Sequence, residues 1–275
     1  MPELPEVETV RRELEPWLTG RTIVAAERVD APAGPKYANL ARAAGQRIGG
    51  VGRRGKFLIL PLSRGDELIV HLGMTGIVSP ERPGQHVRVH LRLSGRAPAE
   101  LFFRDPRRFG RFLVVSAGDY HTLPTLDALG PEPFDRAFTA AAFHAALAQS
   151  RMAIKLYLLS QRPVAGLGNI YIDEALWHAR IHPLLPASRL TREQATRLRT
   201  VAIDVLRDAI EAQGTTINDY RTVNGEVGDY VNSLVAYGHE GDPCRRCGAA
   251  LRKIVLGARG THYCPRCQRA PRNVA

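Results

Sequence analysis

All four cysteines of this 275-residue chain lie beyond position 243, as Cys244-x2-Cys247 and Cys264-x2-Cys267 with sixteen residues between the pairs. Nothing else in the sequence restricts the fold so narrowly. Each Cys-x2-Cys knuckle can turn two thiolates toward one tetrahedral ion, and the interval between the knuckles fits a zinc ribbon. Four sulfur ligands leave no position open for water or substrate, so the Zn2+ this spacing predicts is structural. Two disulfides are the other reading of four cysteines, and a reducing compartment argues against them.

The compartment is inferred from the N-terminus. It opens acidic, with Glu3, Glu6 and Glu8, and lacks the basic segment and apolar stretch of a secretory signal. No run approaches 18 consecutive apolar residues, so no membrane span is expected. The expected setting is the cytoplasm. Lys and Arg number 38 against 27 Asp and Glu, a formal charge of +11. Such an excess suits a polyanionic partner, of which nucleic acid is the commonest. An arginine-rich composition from a GC-rich genome gives the same balance, so charge alone does not decide.

Periodicity divides the rest of the chain. Leu4, Val7, Val10, Leu14 and Leu18 recur at helical spacing, with Pro5 suited to a first turn, which predicts a helix over 2–18. From 21 to 115, short β-branched runs (RTIVAAERV, KFLILPL, ELIVHLGM, HVRVHLRL, ELFFRD, RFLVV) alternate with Gly, Pro and Arg clusters. These predict several strands in a sandwich or barrel. Beyond a Pro/Gly-rich boundary near 130–135 the pattern turns helical, over 139–149 and 191–213. Thr191 is the expected N-cap of the second helix and Gly214 its stop.

The chemistry of the N-terminus depends on processing. While Met1 is attached, the nitrogen of Pro2 is a tertiary amide and cannot attack. Pro is small, so aminopeptidase removal of Met1 is expected, leaving a secondary amine that can form an iminium with a sugar carbon. Its pKa lies far below that of a lysine, so part of it is neutral near pH 7. Glu3 beside it could move protons. Read alone, these residues equally describe a helix start with favourable acidic groups.

PELPEVET, HLGMTG, DPRRFG, GLGNIY and the terminal cysteine hairpin, in this order, resemble the formamidopyrimidine-DNA glycosylases of the Fpg/Nei family along nearly the whole chain. The resemblance implies a two-domain α+β protein. Residues 1–131 would form an N-terminal β-sandwich with flanking helices and 132–236 a helical helix-two-turn-helix DNA-binding domain. An FPG-type zinc finger over 237–269 and a tail over 270–275 would follow. Damaged double-stranded DNA would lie in the cleft between the domains. The implied activity is excision of 8-oxoguanine and formamidopyrimidines, followed by β,δ-elimination at the abasic sugar. It also implies one structural Zn2+ and a bacterial, nucleoid-associated monomer with no obligate protein partner.

Carried over by residue, Pro2 resembles the Schiff-base nucleophile, Glu3 the acid/base beside the deoxyribose and Glu6 a second carboxylate. Lys56 matches the proton donor of β-elimination, and Arg259 the arginine that grips phosphate and assists δ-elimination. Met74, Arg107 and Phe109 resemble the trio that enters the base stack where the damaged nucleotide leaves, as extrusion from a duplex requires. Read alone, Met74 and Phe109 fit a core. Arg151, Lys155, Gly168 and Asn169 match DNA-facing positions, while Tyr237 and the loop 221–230 match the region that closes over an everted base. The family often has Lys-His-Asp-His where this chain has PGQHV. Gly84 takes the first His position and His86 remains, with Arg82 and Arg88 as candidate replacements. Two alternatives stay open. An endonuclease VIII-like enzyme for oxidised pyrimidines typically opens PEGPE where this chain has Leu4. A non-catalytic zinc DNA-binding protein would apply if Met1 were retained.

Overall fold

The computed structural model describes residues 1–270; the expected tail falls almost wholly on 271–275, outside the described residues. The chain forms two compact units. The first comprises Met1–Asp127 and Ile210–Val231; the second comprises Ala128–Ala209 and Asn232 onward.

In the first unit, the apolar stripe read from the sequence becomes helix α1 (Leu4–Leu18), with Leu4, Val7, Val10, Leu14 and Leu18 all buried. The predicted runs fold as β1 (Ile23–Arg28), β3 (Phe57–Pro61), β4 (Asp66–His71), β6 (Val87–Leu93), β7 (Glu100–Arg104) and β8 (Arg111–Ser116). Two three-residue strands join them, β2 (Gly52–Arg54) and β5 (Ile77–Ser79). They make two antiparallel sheets, ordered β1-β6-β7-β5 and β2-β3-β4-β8. Leu58, Leu68, Val70, Val89, Leu91, Phe103, Phe112 and Val114 fill a shared core that also takes in Val7, Val10 and Leu14, as well as Tyr220 and Val223 from the returning segment. A short helix α2 (Pro124–Asp127) ends the contiguous part of this unit.

The register positions two loops. His71, at the end of β4, pairs with Arg111, at the start of β8. Ile77, at the start of β5, pairs with Arg104, at the end of β7. Residues 72–76 and 105–110 therefore cross between the two sheets at the same end of the sandwich. These are the loops of HLGMTG and DPRRFG.

The second unit holds α3 (Ala140–Ala148), α4 (Ile154–Leu159), α5 (Asn169–Ala179), most of α6 (Arg192–Glu211) and the hairpin of β9 (Arg252–Leu256) with β10 (Arg259–Tyr263). Thr139 caps α3 by accepting the Ala142 N–H at 3.1 Å. Thr191 opens α6 as a capping box. Its hydroxyl accepts the Gln194 N–H (3.2 Å), while Gln194 Oε1 accepts the Thr191 N–H (2.9 Å). Gly214 follows at φ +88°. The α+β, two-part organisation expected from the sequence is the one observed. Among the described residues no helix is long and apolar enough to cross a membrane.

Candidate active site and nucleic-acid interface

Pro2 and Glu3 are buried at the head of α1, while Met1 is 45% exposed. Glu6 organises the surroundings. Its Oε2 accepts the Glu3 N–H (2.6 Å) and its Oε1 accepts the Thr215 N–H (2.7 Å). Gly214 lies so close that a Cβ there would sit 2.8 Å from Glu6 Cγ. The Tyr220 hydroxyl donates to the carbonyls of Glu6 (3.4 Å) and Gln213 (3.1 Å). Burial, reinforced by the Glu6 charge, pushes this phenol far above its ordinary range.

Lys56, which, read alone as a lysine just before a strand, suggests a solvated surface cation, is buried at the turn between β2 and β3, where Gly55 has φ +54°. Its charge is felt by His71, a residue the sequence reading passed over. Burial first, then the charges of Lys56 and Arg111, hold His71 down to about 4. The ring is tilted on Phe57 at 4.6 Å, and its Nδ1 accepts the Gly73 N–H (3.2 Å). With Nδ1 accepting, the neutral ring carries its proton on Nε2. A histidine ending a strand inside HLGMTG was the available signal.

At the crossing loops, Met74 is half-buried, Arg107 is exposed and Phe109 is 49% exposed. The core reading of Phe109 does not hold. The Arg107 guanidinium stacks over its ring at 5.1 Å, and Lys36 Nζ lies 5.9 Å from the same ring. His86 is half-buried at φ +65°, and its carbonyl accepts the Asp105 N–H (3.0 Å). Arg82 is exposed, but Arg88 is not a free replacement cation. It is buried, with Nε donating to Asp105 O (2.8 Å) and Nη1 to Asp30 Oδ2 (2.8 Å). In the 221–230 loop, Val223 N–H and Asn224 Nδ2 donate to the Glu13 carboxylate, and Gly225 takes φ +85°.

In the second unit Arg151 and Arg259 are exposed, whereas Lys155, expected among the DNA-facing cations, is fully buried. Its Nζ donates to Asp173 Oδ1 (2.6 Å) and to Gly260 O (3.0 Å). A cation out of water needs such partners. Gly168 is buried at the N-cap of α5, and Asn169 Nδ2 donates to the same Gly260 carbonyl (3.0 Å). Asp173 Oδ2 accepts the His262 N–H (2.9 Å) and approaches its Nδ1 (3.2 Å). Lys155, Asn169 and Asp173 thus anchor the strand that begins with Arg259. Next to Asp173, Glu174 accepts the backbone N–H groups of Val235 (3.0 Å), Ala236 (2.9 Å) and Tyr237 (2.8 Å). Burial raises its pKa against the pull of these bonds. Tyr237 meets the His262 ring edge-on at 5.1 Å.

The cysteine sulfurs all lie within 4.8 Å of one another, and Cys247 and Cys264 Sγ are 3.5 Å apart. A tetrahedron with Zn–S of about 2.3 Å has edges of about 3.8 Å, whereas a disulfide requires about 2.05 Å. The four sulfurs fit one metal ion and no disulfide. Burial opposes ionisation of Cys244, but the backbone N–H groups of Arg246 and Cys247 bring its thiol down to about 7. Cys244, Cys264 and Leu251 cluster with Trp177, over whose ring Arg246 stacks at 3.9 Å. This is a site for one structural Zn2+ that fixes the hairpin to α5.

A β-sandwich unit with a buried proline and carboxylates at its first helix is followed by a helical unit ending in a four-cysteine hairpin that fits one zinc ion. Family models match in that order. They are the formamidopyrimidine-DNA glycosylase N-terminal domain at residues 1–112, the H2TH domain of the same proteins at 129–221, and the zinc finger found in FPG and IleRS at 241–270. The chain is 47% identical to formamidopyrimidine-DNA glycosylase of Deinococcus radiodurans, over 98% of this chain and 97% of that protein. It is 48% identical to that of Thermus thermophilus, over 98% of each. The crystal structure of the MutM (Fpg) protein from Thermus thermophilus superposes with a TM-score of 0.90, covering 97% of this chain and 98% of that one. A MutM complex with DNA containing carbocyclic 8-oxo-G, 38% identical, gives 0.86 over 98% of this chain and all of that one. The chain belongs to the formamidopyrimidine-DNA glycosylase family.

Proposed function

We propose that this chain excises oxidised purines from duplex DNA and cleaves the resulting abasic site, with the Pro2 amine as nucleophile. The observation that carries this reading is the burial of Pro2 and Glu3 at the head of α1, with the Glu3 N–H held by Glu6. Related structures in complex with DNA containing carbocyclic 8-oxo-G or Fapy-dG support the substrate class.

Removal of Met1 would expose a secondary amine. Its attack on C1′ breaks the bond to the damaged base, and opening of the C1′–O4′ bond, with Glu3 handing a proton to O4′, leaves an iminium. Loss of a C2′ proton to the Glu3 carboxylate then breaks the C3′–O bond, with Lys56 donating a proton to the departing 3′ phosphate. Loss of the C4′ proton to water in a second elimination breaks the C5′–O bond and releases the 5′ phosphate, which Arg259 holds. Met74, Arg107 and Phe109 fill the gap left by the extruded nucleotide. Phe109 is exposed, with a cation stacked on its ring. Arg151, Asn169, Gly168, His86 and Tyr237 are assigned to the DNA-facing surface, and Lys155 to its internal support. The same reading has the enzyme acting as a bacterial cytoplasmic monomer.

Borohydride trapping tests the proposal. Enzyme of verified N-terminus should become covalently attached to duplex containing 8-oxoguanine, and protein retaining Met1 should not. Strand cleavage by processed enzyme with no trapped adduct would refute the role of Pro2. Preference for thymine glycol over 8-oxoguanine would favour the endonuclease VIII-like alternative.

A further inference from the structure

Met74 sits on one crossing loop, and Arg107 and Phe109 on the other. If the three are to enter a base stack together, the loops must keep a fixed relation. The hydrogen-bonded part of that relation runs through one buried hydroxyl. Thr75 Oγ1 donates to Asp105 Oδ1 (2.7 Å) and accepts the Arg107 N–H (3.3 Å). The other oxygen of Asp105 accepts the Gly110 N–H (2.7 Å). Each member of the trio is thereby tied to the network at its own backbone or an adjacent residue: Met74 through Thr75, Arg107 through its own N–H, Phe109 through Gly110. Asp105 is fully buried and Thr75 nearly so, which strengthens these bonds and makes their loss costly.

The surroundings reinforce the link. Arg88 reaches the Asp105 carbonyl (2.8 Å) and the Pro106 carbonyl (3.4 Å), and Lys36 donates to Arg108 O. Arg108 is held at φ +55°, a conformation an L-residue keeps only when its neighbours impose it. The loops also touch at backbone level, since a Cβ on Gly73 would lie 2.5 Å from Gly110 N.

We propose, resting on the extrusion role assigned above to Met74, Arg107 and Phe109, that Thr75 is a positioning residue for base extrusion, acting through Asp105 and the Arg107 backbone. It touches neither sugar nor base. Its hydroxyl sets the two loops so that the trio enters the stack as one body.

The test uses processed, zinc-loaded enzyme and two substrates. Excision of 8-oxoguanine from duplex under single-turnover conditions requires extrusion; cleavage of an abasic site in a single strand does not. Thr75→Val keeps the shape and removes the hydroxyl. It should slow duplex excision about 10- to 100-fold, the scale of an ångström-size misplacement, and leave single-strand cleavage within about twofold. Thr75→Ser should restore the duplex rate. Thr75→Ala, which adds no atom, replaces the Val variant if that protein folds poorly. Phe109→Ala separates the two layers of the proposal. If Phe109→Ala is slow on duplex and Thr75→Val is not, the positioning role is wrong and the extrusion role survives. If Phe109→Ala is as fast as the parent, the extrusion role fails and the Thr75 role with it. Equal slowing of both substrates by Thr75→Val means general damage and also overturns the proposal.

Discussion

Replacing Lys155 by methionine should weaken the second unit by about 4 kcal/mol. The side chain is fully buried, its ammonium 2.6 Å from an equally buried Asp173 carboxylate. Removing one partner of such a pair leaves an uncompensated charge and costs about 3–5 kcal/mol. The lower part of that range applies, because Asp173 keeps the N–H and ring nitrogen of His262. The lost bond to Gly260 O adds about 1 kcal/mol, softened by the bond that Asn169 retains to the same carbonyl. Each unit holds one tryptophan, Trp17 in the first and Trp177 in the second, so a Trp17→Phe background reports the second unit alone. With a urea slope of about 2 kcal/mol per molar, the midpoint of zinc-loaded protein should fall by about 2 M. Lys155→Met with Asp173→Leu should recover most of the loss, because the pair is then replaced rather than broken. A midpoint shift below about 0.5 M for the single variant would refute the reasoning, since the buried charge would then have found another partner.

His71 supplies a pH dependence. Its folded value of about 4 lies below the ordinary 6.5, so the neutral ring is favoured by folding. Its contribution is complete above 6.5 and lost as pH falls toward 4, at most about 3 kcal/mol and less where solvent reaches the ring. The urea midpoint should therefore fall further between pH 7 and pH 4.5 for the parent than for His71→Gln; equal falls would count against a ring kept neutral by its surroundings. Stripping with a chelator should release one zinc per chain, read with a metallochromic dye, and abolish damaged-duplex binding while Trp17 fluorescence stays native. Retained binding would remove zinc from the hairpin's structural role. Gly73→Ala combines φ +65° with a backbone clash at 2.5 Å, and should cost about 2–4 kcal/mol. Gly225→Ala, at φ +85° in open space, should cost about 1 kcal/mol. Equal shifts in melting temperature for the two would contradict the steric account.

Some of these features are legible in the sequence alone. The α1 stripe, the strand runs and the cysteine knuckles are local signals, set by neighbours a few residues away. Side chains whose meaning depends on distant partners were not legible. Lys155 looks like any helical surface cation until Asp173, eighteen residues on, is seen to neutralise it. Asp173 and Glu174 lie inside a helix buried on nearly every side, where carboxylates would be unexpected without a lysine and three backbone N–H groups to receive them. Arg88 reads as a surface charge on an alternating strand, yet it holds loop carbonyls. Phe109 misleads the other way, because hydrophobicity alone predicts burial where the fold exposes the ring. Thr75 and Asp105 sit within recognisable motifs, but their bond to each other is set by strand register.

The bond between Glu6 and Thr215 has a consequence for how the protein is made. The first unit is interrupted in sequence, so Glu6 emerges from the ribosome roughly two hundred residues before the N–H it binds. The segment that completes this unit ends at Val231, about a hundred residues after the contiguous part ends at Asp127. At translation speeds of about 5–20 residues per second, that gap lasts about 5–20 s. For that interval the nascent sandwich lacks Tyr220 and Val223 from its core, and a chaperone or protease meets it unfinished.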